Sequence, residues 1–184
     1  MKYDSEQIYK DALLLTAKKM CAAAQTAPKG HGVDSIVTYI LTDDEKEHLA
    51  NEMERLGTEY MGDEMPTWYG RDANCVRKSG GVVIIGAKHM RRGMSHCGQC
   101  GFENCAANAA AGGVCADTYI DLGIAIGSAV SVAGDDRIDN RIMFSIAQTL
   151  RQMPEYGPDY AWFGIPLSIS SKNIFMDRGI THKL

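Results

Sequence analysis

No run of about 20 uncharged apolar residues, the length that spans a bilayer, occurs in this 184-residue chain. The longest such stretch, Leu122 to Gly134, covers 13 residues and is broken by Gly and Ser, so it reads as a buried helix and no membrane association is expected. Basic residues are in deficit, with 19 Lys and Arg against 23 Asp and Glu and a formal net charge of −4. That balance excludes a broad nucleic-acid surface, which needs clustered cations. The one basic cluster, Lys88 to Arg92, is short; it reads as a solvent-facing patch or a contact for an acidic partner. Also missing are a Walker loop, a dinucleotide fingerprint, a Ser-His-Asp order and paired catalytic carboxylates. Hydrolysis and phosphoryl transfer therefore have no support. Met1 to Gln7 is polar and leads into a charged helix, unlike a secretory leader. The expectation is a soluble, cytoplasmic protein.

What remains is close to the globular average, 45% hydrophobic and 23% charged. Such a chain builds a core without covalent staples, as one domain over residues 1–184. Its unusual content is cysteine. Four of the 6 cysteines, Cys97, Cys100, Cys105 and Cys115, fall in one short segment, within residues 94–115. The spacing C-x2-C-x4-C-x9-C is that of metal ligands, and in a reducing compartment it points to metal rather than to disulfides. Thiolates are soft donors that select iron–sulfur clusters or zinc. Structural zinc sites usually pair two C-x2–4-C knuckles, whereas here three cysteines crowd together and the fourth stands alone. The spacing favours a cuboidal 4Fe-4S cluster, with zinc as the alternative. Gly98 and Gly101 leave room for backbone N–H groups to approach inorganic sulfide. Cys115 falls at a helix start, where the dipole favours a thiolate. His96 reads as an exposed neighbour rather than a ligand. Cys21 and Cys75 read as small core residues.

Periodicity places these residues in a mixed α and β order. Helices are expected over Asp4 to Thr26, opened by an Asp4/Gln7 capping box, and from Thr42, with Glu45 completing a second box and Gly57 as the C-cap. Glu59 to Thr67 reads as a loop. Further helices are expected over Trp68 to Lys78, Cys115 to Ala133 and Arg137 to Met153. Strands are expected over Ile36 to Leu41, Val82 to Ile85 and Tyr160 to Ser168. This order argues for an α+β layered fold with the cysteines on an insertion between strand and helix. Lys29-Gly30-His31-Gly32 reads equally as a phosphate cradle or as a turn with positive φ at both glycines. Gly123 and Gly127, with Ala125 and Ala129, mark a helix face for close internal packing, or for a dimer seam or flat cofactor. Asp139-Asn140-Arg141 reads as a helix cap with an ion pair.

Cys97-Gly98-Gln99-Cys100-Gly101-Phe102-Glu103-Asn104-Cys105 resembles the CGxCGxxxC segment of iron–sulfur modules in corrinoid and carbon monoxide dehydrogenase systems and in electron-transport complexes, with a shorter last interval. A wider match joins Thr26-Ala27-Pro28-Lys29, the cysteine segment, Asp121 to Ala125, Asp139 to Met143 and Gly164 to Ser168. Together these resemble an uncharacterised prokaryotic family described as ferredoxin domain-containing proteins, which implies no particular activity. A second resemblance concerns the fold. A helix ending in Ala24-x-x-Ala27-Pro28, then a turn, a strand and a capped helix, is similar to the opening of the FMN-dependent nitroreductases. In that family the turn lies against the flavin, and the cofactor sits at a homodimer interface. The resemblance implies Lys29 and Gly30 beside FMN, with Lys172 and Arg178 as phosphate partners. The chain departs from the family in one respect: residues 1–12 lack the arginine pair that commonly binds the FMN phosphate.

These readings predict an iron–sulfur redox protein on a nitroreductase-like α+β scaffold. They extend to a flavin-dependent oxidoreductase relaying electrons to a small substrate or redox partner, assembled as a homodimer. The alternative is a non-enzymatic binding or sensing protein with a structural four-cysteine zinc or iron–sulfur site.

Overall fold

The central strand β2 (Gly81–Lys88) reads GVVIIGAK and is buried along all but its last residue. Side chains alternate between sheet faces, so such a strand needs apolar cover on both sides. The computed structural model, which describes residues 2–62 and 68–176, supplies it. Val83, Ile85 and Ala87 pack into one hydrophobic cluster with Leu13, Ala17 and Met20 of α1 (Ser5–Thr26) and Leu122, Ala125 and Ala129 of α5 (Ala116–Asp135). Val82 and Ile84 enter a second cluster. It is built with Leu49 and Met53 of α2 (Asp43–Met61), Val76 of α3 (Trp68–Lys78) and Ile146 of α6 (Phe144–Gln152).

The sheet is antiparallel throughout, in the order β1 (Ile36–Leu41), β2, β4 (Tyr160–Ser168), β3 (Asp139–Asn140). The sheet with helices on both faces makes a mixed α+β layered architecture, as the element order predicts. Two glycines make room for bulky neighbours, one across the strand pair β2–β4 and one between sheet and helix. A Cβ on Gly86 would stand 2.3 Å from the Trp162 ring, and one on Gly164 would stand 2.3 Å from Ile146 Cγ2. Among the described residues no helix is long and apolar enough to cross a membrane.

Several elements differ from the sequence expectation. Gly57 does not end its helix; it is buried inside α2, which runs to Met61 and stops at Gly62, where φ is +64°. A buried glycine tolerates helical geometry at modest cost, whereas the positive φ at Gly62 is the true terminator. Asp4 accepts from the Gln7 N–H at 3.0 Å, but the Gln7 side chain turns to Asp11, so the box is half made. Thr42 caps α2 without a side-chain bond. The stretch from Arg137 is not one helix. Asp139 and Asn140 pair with Leu167 and Ser168 at the sheet edge, and α6 starts only at Phe144. The capping and ion-pair reading of Asp139-Asn140-Arg141 therefore gives way, and Arg141 instead donates to the Phe175 carbonyl at 3.2 Å. On α5 it is Ala125, Ala129 and Ala133 that pack inward. Gly123 and Gly127 face outward, with nothing within 4 Å of an added Cβ.

Candidate metal centre

The chain leaves β2 at Lys88 and does not re-enter a long element until α5. The intervening turns place φ at +70° for Gly93, +63° for Gly98 and +80° for Gly101, values that favour glycine. Gly101 closes a tight turn by donating to the Gly98 carbonyl at 2.9 Å. A short helix, α4 (Cys105–Ala110), follows, capped by Asn104, whose side chain accepts from the Ala107 N–H at 2.9 Å. Six small residues give no apolar periodicity, so α4 was invisible to pattern; the Asn104 cap was its one signal. Cys115 is the N-cap of α5, at the helix start where the sequence places it.

These turns bring Cys97, Cys100, Cys105 and Cys115 to the wall of one small cleft, shared with Arg92, Asn104 and Asp117. All four thiols are half-buried. Among the described residues, no group of three or more His, Cys, Asp or Glu is closed tightly enough to hold a single metal ion. The donor set fits a thiolate-bound centre: four soft ligands in one cleft, with glycine at the turns where backbone approaches. His96 is exposed at φ 57° and is not among the cleft residues. Cys21 and Cys75 pack in the two hydrophobic clusters, and burial pushes both thiols up from their ordinary value.

Three residues beside the cysteines had no sequence signal of their own. Arg92 and Asp121 side chains are 2% and 3% exposed and form an ion pair. Asp121 also accepts the Gly30 N–H at 2.9 Å, and Arg92 donates to Ser35 Oγ at 2.9 Å. Among the described residues the buried Arg92 Nε has no partner. Asn108 accepts from Arg91 Nε at 2.8 Å and donates to the Val114 carbonyl at 3.1 Å, while Arg91 also reaches the Gly113 carbonyl. That network fixes the approach to Cys115. In the Lys88 to Arg92 cluster Lys88 and Arg91 are exposed, as a solvent-facing patch requires, while the Arg92 side chain turns inward to groups that only tertiary structure brings near.

Of the residues implied beside a flavin, Lys29, Gly30 and Lys172 are not on the cleft wall. Lys29 Nζ donates to the carbonyls of Ala24, Gln25 and Ala27 and so caps the end of α1. In the turn Gly30–Gly32, positive φ falls on His31 and Gly32 rather than on both glycines. The Gly30 N–H is held by Asp121. Lys172 lies in the exposed segment after β4, and Arg178 lies outside the described residues.

Solved structures resemble this architecture. The FMN- and NADPH-dependent nitroreductase NfnB from Sphigopyxis aligns with a TM-score of 0.57 at 10% identity, over 86% of this chain and 79% of that one. A nitroreductase family protein from Clostridium novyi aligns at 0.55 and 13%, over 92% and 76%. A nitroreductase with bound FMN from Desulfitobacterium hafniense aligns at 0.52 and 16%, over 94% and 81%. Fold and cleft together define a nitroreductase-like α+β protein with a cysteine-lined cleft. A family model described as an uncharacterized protein containing a ferredoxin domain matches residues 111–178, which include Cys115 but not the other three cleft cysteines. An uncharacterized protein from Archaeoglobus fulgidus is 35% identical over 186 residues, covering 97% of this chain and 98% of its own. The chain belongs to this family of ferredoxin-domain-containing proteins.

Proposed function

We propose that the protein is an iron–sulfur redox protein whose centre, a 4Fe-4S cluster, is held by Cys97, Cys100, Cys105 and Cys115. The observation that carries this is the convergence of four thiols from one segment on one cleft. The ferredoxin-domain description of the family supports it. When bound, such a cluster supplies one-electron transfer at a potential set by the surrounding charge and hydrogen bonds. The chain's own residues do the rest. The glycine turns at Gly98 and Gly101 keep side chains off the backbone N–H groups around the cysteines. Arg92 puts a guanidinium on the cleft wall, opposing the negative charge of four thiolates, and Asp121 holds it there.

The nitroreductase-like fold extends the reading to reduction of a small substrate, with flavin as a further cofactor. Lys29 and Gly30 do not fit a flavin phosphate as they stand, because their donors are spent inside the chain. A homodimer is supported by α5, which leaves Tyr119, Ile120 and Ile124 exposed beside the outward Gly123 and Gly127.

Anaerobic purification of the full chain, followed by iron, acid-labile sulfide, zinc and flavin analysis, tests all of this. The expected result is about four iron and four sulfide per chain, with visible absorption bleached by dithionite. Colourless protein carrying zinc and no sulfide would overturn the redox reading.

A further inference from the structure

Arg92 carries more hydrogen-bonding capacity than the chain uses. A guanidinium is all donor and no acceptor, and this one belongs to a side chain only 2% exposed, where water takes up little of what the protein leaves. Its Nη2 is engaged by Asp121 Oδ2 and by Ser35 Oγ. Among the described residues Nη1 meets only the Met90 sulfur, at 4.0 Å, and Nε meets nothing. A buried cation with unused donors calls for an anion beside it. Arg92 shares its wall with the four cysteines, which would bring that negative charge.

Asp121 is fully engaged by comparison. Its side chain is 3% exposed, and each carboxylate oxygen has its own donor, Oδ2 from Arg92 and Oδ1 from the Gly30 N–H at 2.9 Å. The two donors share one negative charge. What the Gly30 N–H offsets, Arg92 does not, and more of the guanidinium charge is left for the cleft. Gly30 also lies on the Arg92 side chain, since a Cβ there would stand 3.5 Å from Nε and 3.7 Å from Cδ. The residues that follow it, His31 and Gly32, are exposed.

We propose that Asp121 and the Gly30 N–H are positioning groups that meter the positive charge Arg92 presents to the metal centre, and so set its reduction potential. Neither residue lines the cleft; both act through Arg92. Nearby positive charge favours the more negative, reduced state of a cluster, and burial leaves that charge little screened. Asp121 therefore lowers the potential, and the Gly30 N–H, by offsetting part of its charge, raises it. The inference rests on the iron–sulfur reading of the cleft.

The test is a redox titration, followed by electron paramagnetic resonance, of anaerobically purified wild type, Asp121→Asn, Gly30→Pro and Gly30→Ala. Proline removes the N–H, and Lys29 before it is already extended, at φ −127° and ψ 151°, as proline requires. Alanine keeps the N–H and makes only ordinary contacts. At a fixed poise, Asp121→Asn should raise the reduced-to-oxidised ratio about tenfold, or about 59 mV for one electron. Gly30→Pro should lower the ratio by a smaller factor, and Gly30→Ala should match wild type. A merely structural corner would loosen alike in Asp121→Asn and Gly30→Pro, so shifts of the same sign, or none, would overturn the proposal. Should Asp121→Asn fail to fold by circular dichroism, the Gly30 variants decide, and equal potentials for proline and alanine overturn it. Iron lost from a folded variant overturns it too, because the pair then builds the centre rather than tunes it. Zinc without sulfide in the wild-type protein refutes the redox reading itself, a result separate from any difference among the variants.

Discussion

Arg92 and Asp121 lie 29 residues apart in sequence and nearly out of water together. A buried ion pair adds little net stability over an apolar pair, but removing one partner strands a charge. Asp121→Asn should therefore destabilise the fold by about 3–5 kcal/mol in urea unfolding. The double variant Arg92→Met/Asp121→Leu should lose less than that single substitution. A double variant at least as unstable would show that packing, not charge, is what the pair supplies. Legibility at this scale was uneven. That Cys97, Cys100, Cys105 and Cys115 share one cleft could be read because their spacing is local. Arg92 could not, because its partners, Asp121 and Ser35, come from two other parts of the chain. Lys29 misled for the same reason. Its place after a helix end suggests a ligand contact, but the unsatisfied carbonyls of that same helix claim its ammonium.

Between α2 and α3 the packing is fastened by one arginine. Arg77 donates to Glu47 at 2.7 Å, to Asn51 at 2.7 Å and to both oxygens of Glu54 at 2.5 and 2.9 Å. Hydrogen bonds from Arg77 hold the Glu54 carboxyl below its ordinary value of 4.5, against a smaller upward push from burial. A carboxylate with a lowered folded pKa stabilises above its unfolded pKa, and that contribution disappears as pH falls through the folded value. Stability measured by thermal unfolding should thus fall as pH drops below 4.5, and Arg77→Met should flatten that part of the profile. An unchanged slope in the variant would remove the network from the account of acid sensitivity. Elements were legible where periodicity was strong. Ile36 to Leu41, Trp68 to Lys78 and Tyr160 to Ser168 begin and end where the pattern places them. Where tertiary pairing decides, pattern fails. The edge pairing of Asp139 and Asn140 cuts a helical-looking stretch in two, and burial carries α2 past Gly57.

At the scale of the whole molecule, the mixture of helices and strands was readable, but the strand order was not, because antiparallel neighbours are chosen by long-range contacts. The small-residue helix was recognised, but the single face read from it is two: alanines face inward and glycines outward. That outward stripe gives the homodimer proposal its test. The wild-type protein should sediment as a dimer, and Ile124→Glu, at a side chain already 42% exposed, should sediment as a folded monomer. A monomeric wild type would end the proposal. The cysteine segment has a consequence for how the protein is made. All four thiols sit on a single connection between β2 and α5, and none belongs to either hydrophobic cluster. In a zinc finger the metal is the core, and without it the chain is unfolded. Here the two hydrophobic clusters are built without those thiols, so on the proposed iron–sulfur reading the scaffold folds before its metal arrives. Iron supply would then govern how much of the protein carries its centre rather than how much survives.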